Sequence, residues 1–227
     1  MNCRRIGAAS LWLLAVLSLL LANGSASAIR FSCDIEHASI VAEDPQDATL
    51  ACEGTRAALD FLEAQGLDVD TDIRIDIVSL LTEEDTCTAA GYFLASSNKV
   101  LILSYSEFLK FETWLRVPIT HALYRALVAH EVAHVIALHN FRVAKPTIQA
   151  QEYLAYVTSL ATLEPAQRER VLSQFPGDGY ETDQQMNTTI YLCDPMRFGV
   201  EAYRHFLKKG RDADYFRRIL SGRVLAD

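Results

Sequence analysis

His130 and His134 constrain this chain more than any other feature. They stand four residues apart in Leu127–Ile136, a stretch whose only charged residue is Glu131. On a helix that spacing puts both imidazoles on one face, one turn apart. The surrounding leucine, valine, alanine and isoleucine mark a helix that is buried. Two histidines and a glutamate are costly in such a place unless something satisfies them. A metal ion gripped by the two imidazoles does so, and Glu131 is then placed to hold a water beside it. The fold has to carry this helix in its interior and bring a further ligand to it.

The chain has 227 residues, half of them hydrophobic and 22% charged, with a net charge of −8. That excludes a disordered, collagen-like or coiled-coil protein and allows a core of ordinary size. No basic stripe is present, so nucleic acid is not an expected partner. Arg4 and Arg5 precede an apolar run, Leu11–Ala22, and then Ala26-Ser-Ala28. Basic start, short apolar middle and small-residue end make residues 1–28 a secretory signal peptide, cut after Ala28. The apolar run falls short of the roughly 20 residues of a spanning helix, so no membrane association is expected after cleavage. Residues 29–227 are then one secreted or periplasmic domain. Its cysteines, Cys33, Cys52, Cys87 and Cys193, form an even set in an oxidising compartment. The expected bridges are Cys33–Cys52, closing the N-terminal arm, and Cys87–Cys193, tying the two halves together.

The pattern along the chain is α+β, strands first and helices second. Residues 29–51 read as an arm with a short strand, and Thr55–Gln65 as a helix stopped by Gly66. Ile73–Ile77 alternates as a half-buried strand, and Tyr92–Ala95 with Val100–Leu103 forms a hairpin. Pro118 opens a helix to Asn140, completing a sheet lobe with the histidine helix over 29–140. A helical lobe follows over 141–227: Pro146 to Leu163, a helix from Pro165, a loop over 176–193, Pro195–Lys209 and Asp212–Leu220. The hairpin and the Phe108–Trp114 segment read as core.

A metal that does chemistry needs a third protein ligand and an open position. His139 lies five residues past His134, about 140° round the helix, and His121 is about half a turn away in angle from His130. Neither faces the pair. Glu152 sits 18 residues after His134 on the next helix. It shares a face with Ala155, Tyr156 and Ser159, whose small members let the helices approach. Glu164, Asp178 and Glu181 are the fallback ligands.

His130-Glu-Val-Ala-His134 is the zinc metallopeptidase motif. With Glu152 on the following helix, the chain resembles the gluzincin branch of the zincin metallopeptidases. The outline of the resemblance spans Ile73–Leu163, and its specific residues are His130, Glu131, His134 and Glu152. Position 153 carries tyrosine where that family has a small residue. The resemblance implies a zincin-like fold, Zn2+ on the two histidines and Glu152, Glu131 as general base, and a peptide or protein substrate. It also places Val100–Leu103 as the edge strand beside the substrate. A tyrosine or histidine from the C-terminal part would stabilise the oxyanion, with Tyr203 and His205 the leading candidates beside Tyr180 and Tyr191. Asn140 and Asp76 are candidates to orient the ligand histidines. The competing reading is a non-catalytic exported binding or structural protein, and an intact Glu131 speaks against it.

Overall fold

In the computed structural model, which describes residues 28–81 and 89–226, a mixed sheet is followed by helices, as the α+β pattern requires. The five strands are β1 (Ile29–Phe31), β2 (Ala38–Ala42), β3 (Ile73–Val78), β4 (Gly91–Leu94) and β5 (Lys99–Leu103). They lie in the order β1-β2-β3-β5-β4. β2, β3 and β5 are parallel, and β1 and β4 run antiparallel at the two margins. β5 is therefore interior, and the edge on the metal side belongs to β4. The expectation that Val100–Leu103 is the edge is corrected by its own sequence. Val100-Leu-Ile-Leu103 is an unbroken apolar run, the pattern of a strand covered on both faces.

The helix α1 (Pro45–Ala64) crosses from β2 to β3 and begins ten residues before Thr55. Asp44 caps it, accepting from the Gln46 amide at 2.8 Å, and Pro45 supplies the first turn. After the short helix α2 (Tyr105–Phe108), the ribbon β6 (Thr113–Trp114) and β7 (Val117–Pro118) leads into α3 (His121–Asn140). Pro118 thus closes a strand rather than opening a helix. The cap is Thr120, whose hydroxyl accepts from the Leu123 amide at 3.3 Å.

α3 is buried over most of its length. Gly54 lets α1 lie directly on it: a Cβ there would meet the Arg125 carbonyl oxygen at 2.6 Å. On its other side lies α4 (Ile148–Thr162), whose Ser159 hydroxyl donates to the Ala126 carbonyl at 2.9 Å. Ala155 is fully buried on the same face, so the two small residues do set the close approach. Then come α5 (Pro165–Leu172), α6 (Thr188–Cys193), α7 (Pro195–Lys208) and α8 (Ala213–Leu220). α6 occupies part of the segment expected to be loop; Asn187 caps it at the Ile190 amide, 3.1 Å away.

Cys33 and Cys52 are joined, fastening the β1–β2 connection to α1. Cys193 at the end of α6 is exposed and has no disulfide partner among the described residues; its expected partner Cys87 lies outside them. Of the expected signal segment, residues 1–28, all but Ala28 also lie outside them.

Candidate metal centre

α3 and α4 bring three side chains to one point. The Nε2 atoms of His130 and His134 are 3.2 Å apart. Glu152 reaches across from α4, its Oε2 3.6 Å from His130 Nε2 and its Oε1 3.6 Å from His134 Nε2. Zinc bonds of about 2.0–2.1 Å in a tetrahedron separate ligand atoms by about 3.3–3.4 Å. The observed gaps lie on either side of that value, so the three residues could hold a metal ion as they stand.

Their protonation states suit it. Burial holds the His130 pKa well below the ordinary imidazole value, helped by His134, and lowers that of His134 to about 4. Both rings are therefore neutral near pH 7, the form that binds a metal. Burial raises the Glu152 carboxyl to about 7, against a lowering hydrogen bond from the Tyr191 hydroxyl. An isolated carboxylate is poorly placed there, and a cation would reverse that cost. Glu131 points into the same cleft without joining the three. Burial and the neighbouring Glu152 push its pKa well up. Gly91 on β4 packs against it: a Cβ there would come within 3.1 Å of Glu131 Cγ and 3.2 Å of Oε1.

The expected outer residues fall elsewhere. Tyr203 and His205 are both buried, and neither lines the cleft. Two residues apart on α7 and so on different faces, Tyr203 meets Arg168 and His205 meets Tyr153 and Tyr215, away from the cleft. His205 Nδ1 faces the Tyr153 hydroxyl at 2.9 Å, and its ring packs on Tyr215. Asn140 bridges the Ile136 carbonyl and the backbone of Asp68, and Asp76 pairs with Lys99. Neither orients a ligand histidine; His130 Nδ1 is buried with no hydrogen-bond partner among the described residues. His121 stacks on Tyr105, His139 faces Asp68, Glu164 pairs with Arg125, Glu181 with Lys208, and Asp178 is exposed.

Two tyrosines take the places beside the metal centre. Tyr191, named only among several candidates, reaches it from α6 and donates to Glu152. Tyr156, four residues after Glu152, lines the cleft with its ring edge against His130, centroids 4.6 Å apart. The i, i+4 spacing from Glu152 was the sequence signal that could have found it. Phe108, Phe111 and Trp114, read as core, line the cleft too.

Gly199 on α7 makes the room for Tyr156. A Cβ there would lie 2.2 Å from Tyr156 Cδ1. In an ordinary helix glycine to alanine stabilises by about 1 kcal/mol. Here Gly199→Ala is expected to destabilise by about 1–3 kcal/mol through overpacking, and to weaken metal binding by displacing the ring against His130. Urea unfolding and a zinc titration of this variant check both.

His205 gives a pH dependence away from the metal. Burial, then the charge of Lys209, lowers its pKa to about 4. The unfolded chain protonates this ring near the ordinary value of about 6.5, whereas the folded chain resists until about 4. The histidine therefore costs nothing above the upper value and draws stability down as the pH falls between the two. Urea unfolding of wild type and His205→Phe at pH 7.5 and pH 5 is expected to show a smaller acid loss in the variant. The shared contribution of His130 and His134 cancels in that difference; equal losses would remove His205 from the account.

A protein-family model matches residues 38–227, the span holding β2 and every element after it. The chain belongs to DUF6639, a family of unknown function. The DUF6639 match covers α3, α4 and all four residues of the constellation. No curated protein and no solved structure matches the chain.

Proposed function

We propose that this member of DUF6639 is an exported zinc-dependent peptidase built on a zincin-like fold of the gluzincin kind. The observation that carries the reading is the convergence of His130, His134 and Glu152 at near-tetrahedral spacing, with the free carboxylate of Glu131 beside them in an open cleft. When bound, zinc supplies Lewis-acid polarisation of a carbonyl and a water of lowered pKa. Glu131 takes the proton as water adds to the carbonyl carbon, then delivers it to the nitrogen as the C–N bond breaks. Its raised pKa brings it closer to the working pH that such a shuttle needs. Glu152 balances charge, and Tyr191 fixes the direction of its carboxylate. Tyr156, which lines the cleft beside His130, is the donor we assign to the developing oxyanion in place of Tyr203 and His205.

The N-terminal pattern and the Cys33–Cys52 disulfide support an oxidising compartment. Among the described residues no helix is long and apolar enough to cross a membrane.

Elemental analysis and an assay on an unfolded protein substrate test the reading together. About one zinc per chain is expected, with hydrolysis that stops on chelation and returns with zinc. Stoichiometric metal without hydrolysis would leave a binding protein. A folded chain that takes up no zinc would end the peptidase reading.

A further inference from the structure

The cleft has a chemical character beyond its metal ligands. It measures about 790 Å³ and runs along the outer margin of β4. Its wall beyond Glu131 is aromatic. Phe108 packs edge-on against Trp114 at 6.0 Å and tilted against Phe111 at 6.2 Å. Leu127, one turn before Glu131 on α3, floors this wall. Ile148 from α4 and Leu192 from α6 line the same cleft. Phe111, Ile148 and Leu192 are 40%, 37% and 66% exposed, although side chains of this kind gain most from leaving water. Together they frame the mouth of one cleft, and apolar surface grouped in this way marks a binding site.

The wall is also held rigidly. Its ribbon turns at Leu115 and Arg116, both in the left-handed region at φ 53° and 61°. Backbone strain of this kind persists only where the surroundings enforce it. Leu115 is fully buried, and the Arg116 guanidinium lies 4.2 Å from the centre of the Phe175 ring and bonds Asp194 at 2.7 Å. Trp114 is therefore presented as a fixed surface.

We infer that the substrate is an extended polypeptide segment carrying a bulky apolar side chain next to the cleaved bond, seated against Phe111 and Trp114. This rests on the peptidase reading for the cleavage but not for the binding. Segments of that composition are buried in folded proteins, so the enzyme would act on unfolded chains or on free apolar peptides.

Trp114 is the only tryptophan after residue 28, so its emission reports the wall directly. The test uses exported, zinc-supplied Glu131→Gln protein, which retains ligand without cutting it. The probes are acetylated and amidated hexa-alanine peptides with Phe-Leu, Lys-Lys or Glu-Glu at the two central positions. The Phe-Leu peptide is expected to shift Trp114 emission and to bind at least about tenfold tighter than the other two. A second substitution, Phe111→Lys, should remove that preference with zinc content and circular dichroism unchanged. Equal binding of the three peptides, no binding of any, or a preference untouched by Phe111→Lys would overturn the inference. Selective binding with no hydrolysis by wild type would end the peptidase reading and leave the apolar site standing. Unselective hydrolysis would do the reverse.

Discussion

Glu131→Gln is expected to slow peptide hydrolysis by about 10²–10⁴-fold, the range that a positioned proton-transfer group supplies, with zinc still bound. Glutamine occupies the same volume, which matters because the space is tight: a Cβ added at Gly91 would lie 3.2 Å from Glu131 Oε1. Its amide can still hold a water but takes no proton from it near pH 7. The proposed ligand set is untouched, since Glu131 is not among the three residues that could hold a metal ion. The variant should also be no less stable than wild type. Burial and Glu152 push the Glu131 pKa well up, so the fold bears a cost for this carboxylate that the amide removes. Lost activity in a protein with full zinc content and unchanged or raised Tm therefore separates the chemistry from the fold. Zinc content, Tm and kcat/KM measured on one preparation decide it; a wild-type rate would take Glu131 out of the mechanism.

The parts of this centre that could be read from sequence are those that follow from helix geometry. His130 and His134 lie on one helix, and Glu152 lies on the next with Ala155 and Ser159 as its small neighbours. The i, i+4 rule and the need for close packing therefore place them. What could not be read depends on which tertiary face a residue meets. Tyr203 and His205 sit on a strongly amphipathic helix, α7, but its pattern says only that they are buried, not against what. Tyr156 was legible as a residue on the face of Glu152, but its seat against His130 requires a gap at Gly199, forty-three residues away and on another helix. The aromatic segment Phe108–Trp114 is apolar whether it fills a core or walls a cleft. Only the ribbon that turns at Leu115 and Arg116, two residues that carry no turn signal, decides between them. The early start of α1 was legible in Asp44-Pro45, a cap and a first-turn proline. It was outweighed by the mixed polarity of the turns that follow.

Glu152→Gln is expected to invert the order of stabilities with and without metal. In metal-free wild type, burial raises the Glu152 carboxyl to about 7 from an ordinary 4.5. The unfolded chain releases this proton earlier, so the group takes stability away as the pH rises between those two values, and the full loss is present at pH 8. A shift of that size corresponds to a few kcal/mol at most, at about 1.4 kcal/mol per unit. The glutamine removes the ionisation and keeps a partner for Tyr191, so the metal-free variant should unfold at a higher urea concentration than metal-free wild type at pH 8, and the gap should close toward pH 4. With zinc the order turns over. Wild type gains about 4.1 kcal/mol when the metal is at about 1,000 times its Kd, enough to offset that cost, whereas the variant has lost its anionic ligand and binds far more weakly. His134→Ala is the contrasting control. It loses the metal, keeps the burdened carboxylate and opens a cavity, so at pH 8 it should be the less stable of the two variants with chelator and with zinc. Urea midpoints at pH 8 and pH 5, each with chelator and with zinc, test the scheme. If Glu152→Gln has the lower midpoint in chelator at pH 8, the carboxylate is held by protein contacts and the cost assigned to it is wrong. If both variants keep wild-type zinc affinity, these three side chains are not the metal centre.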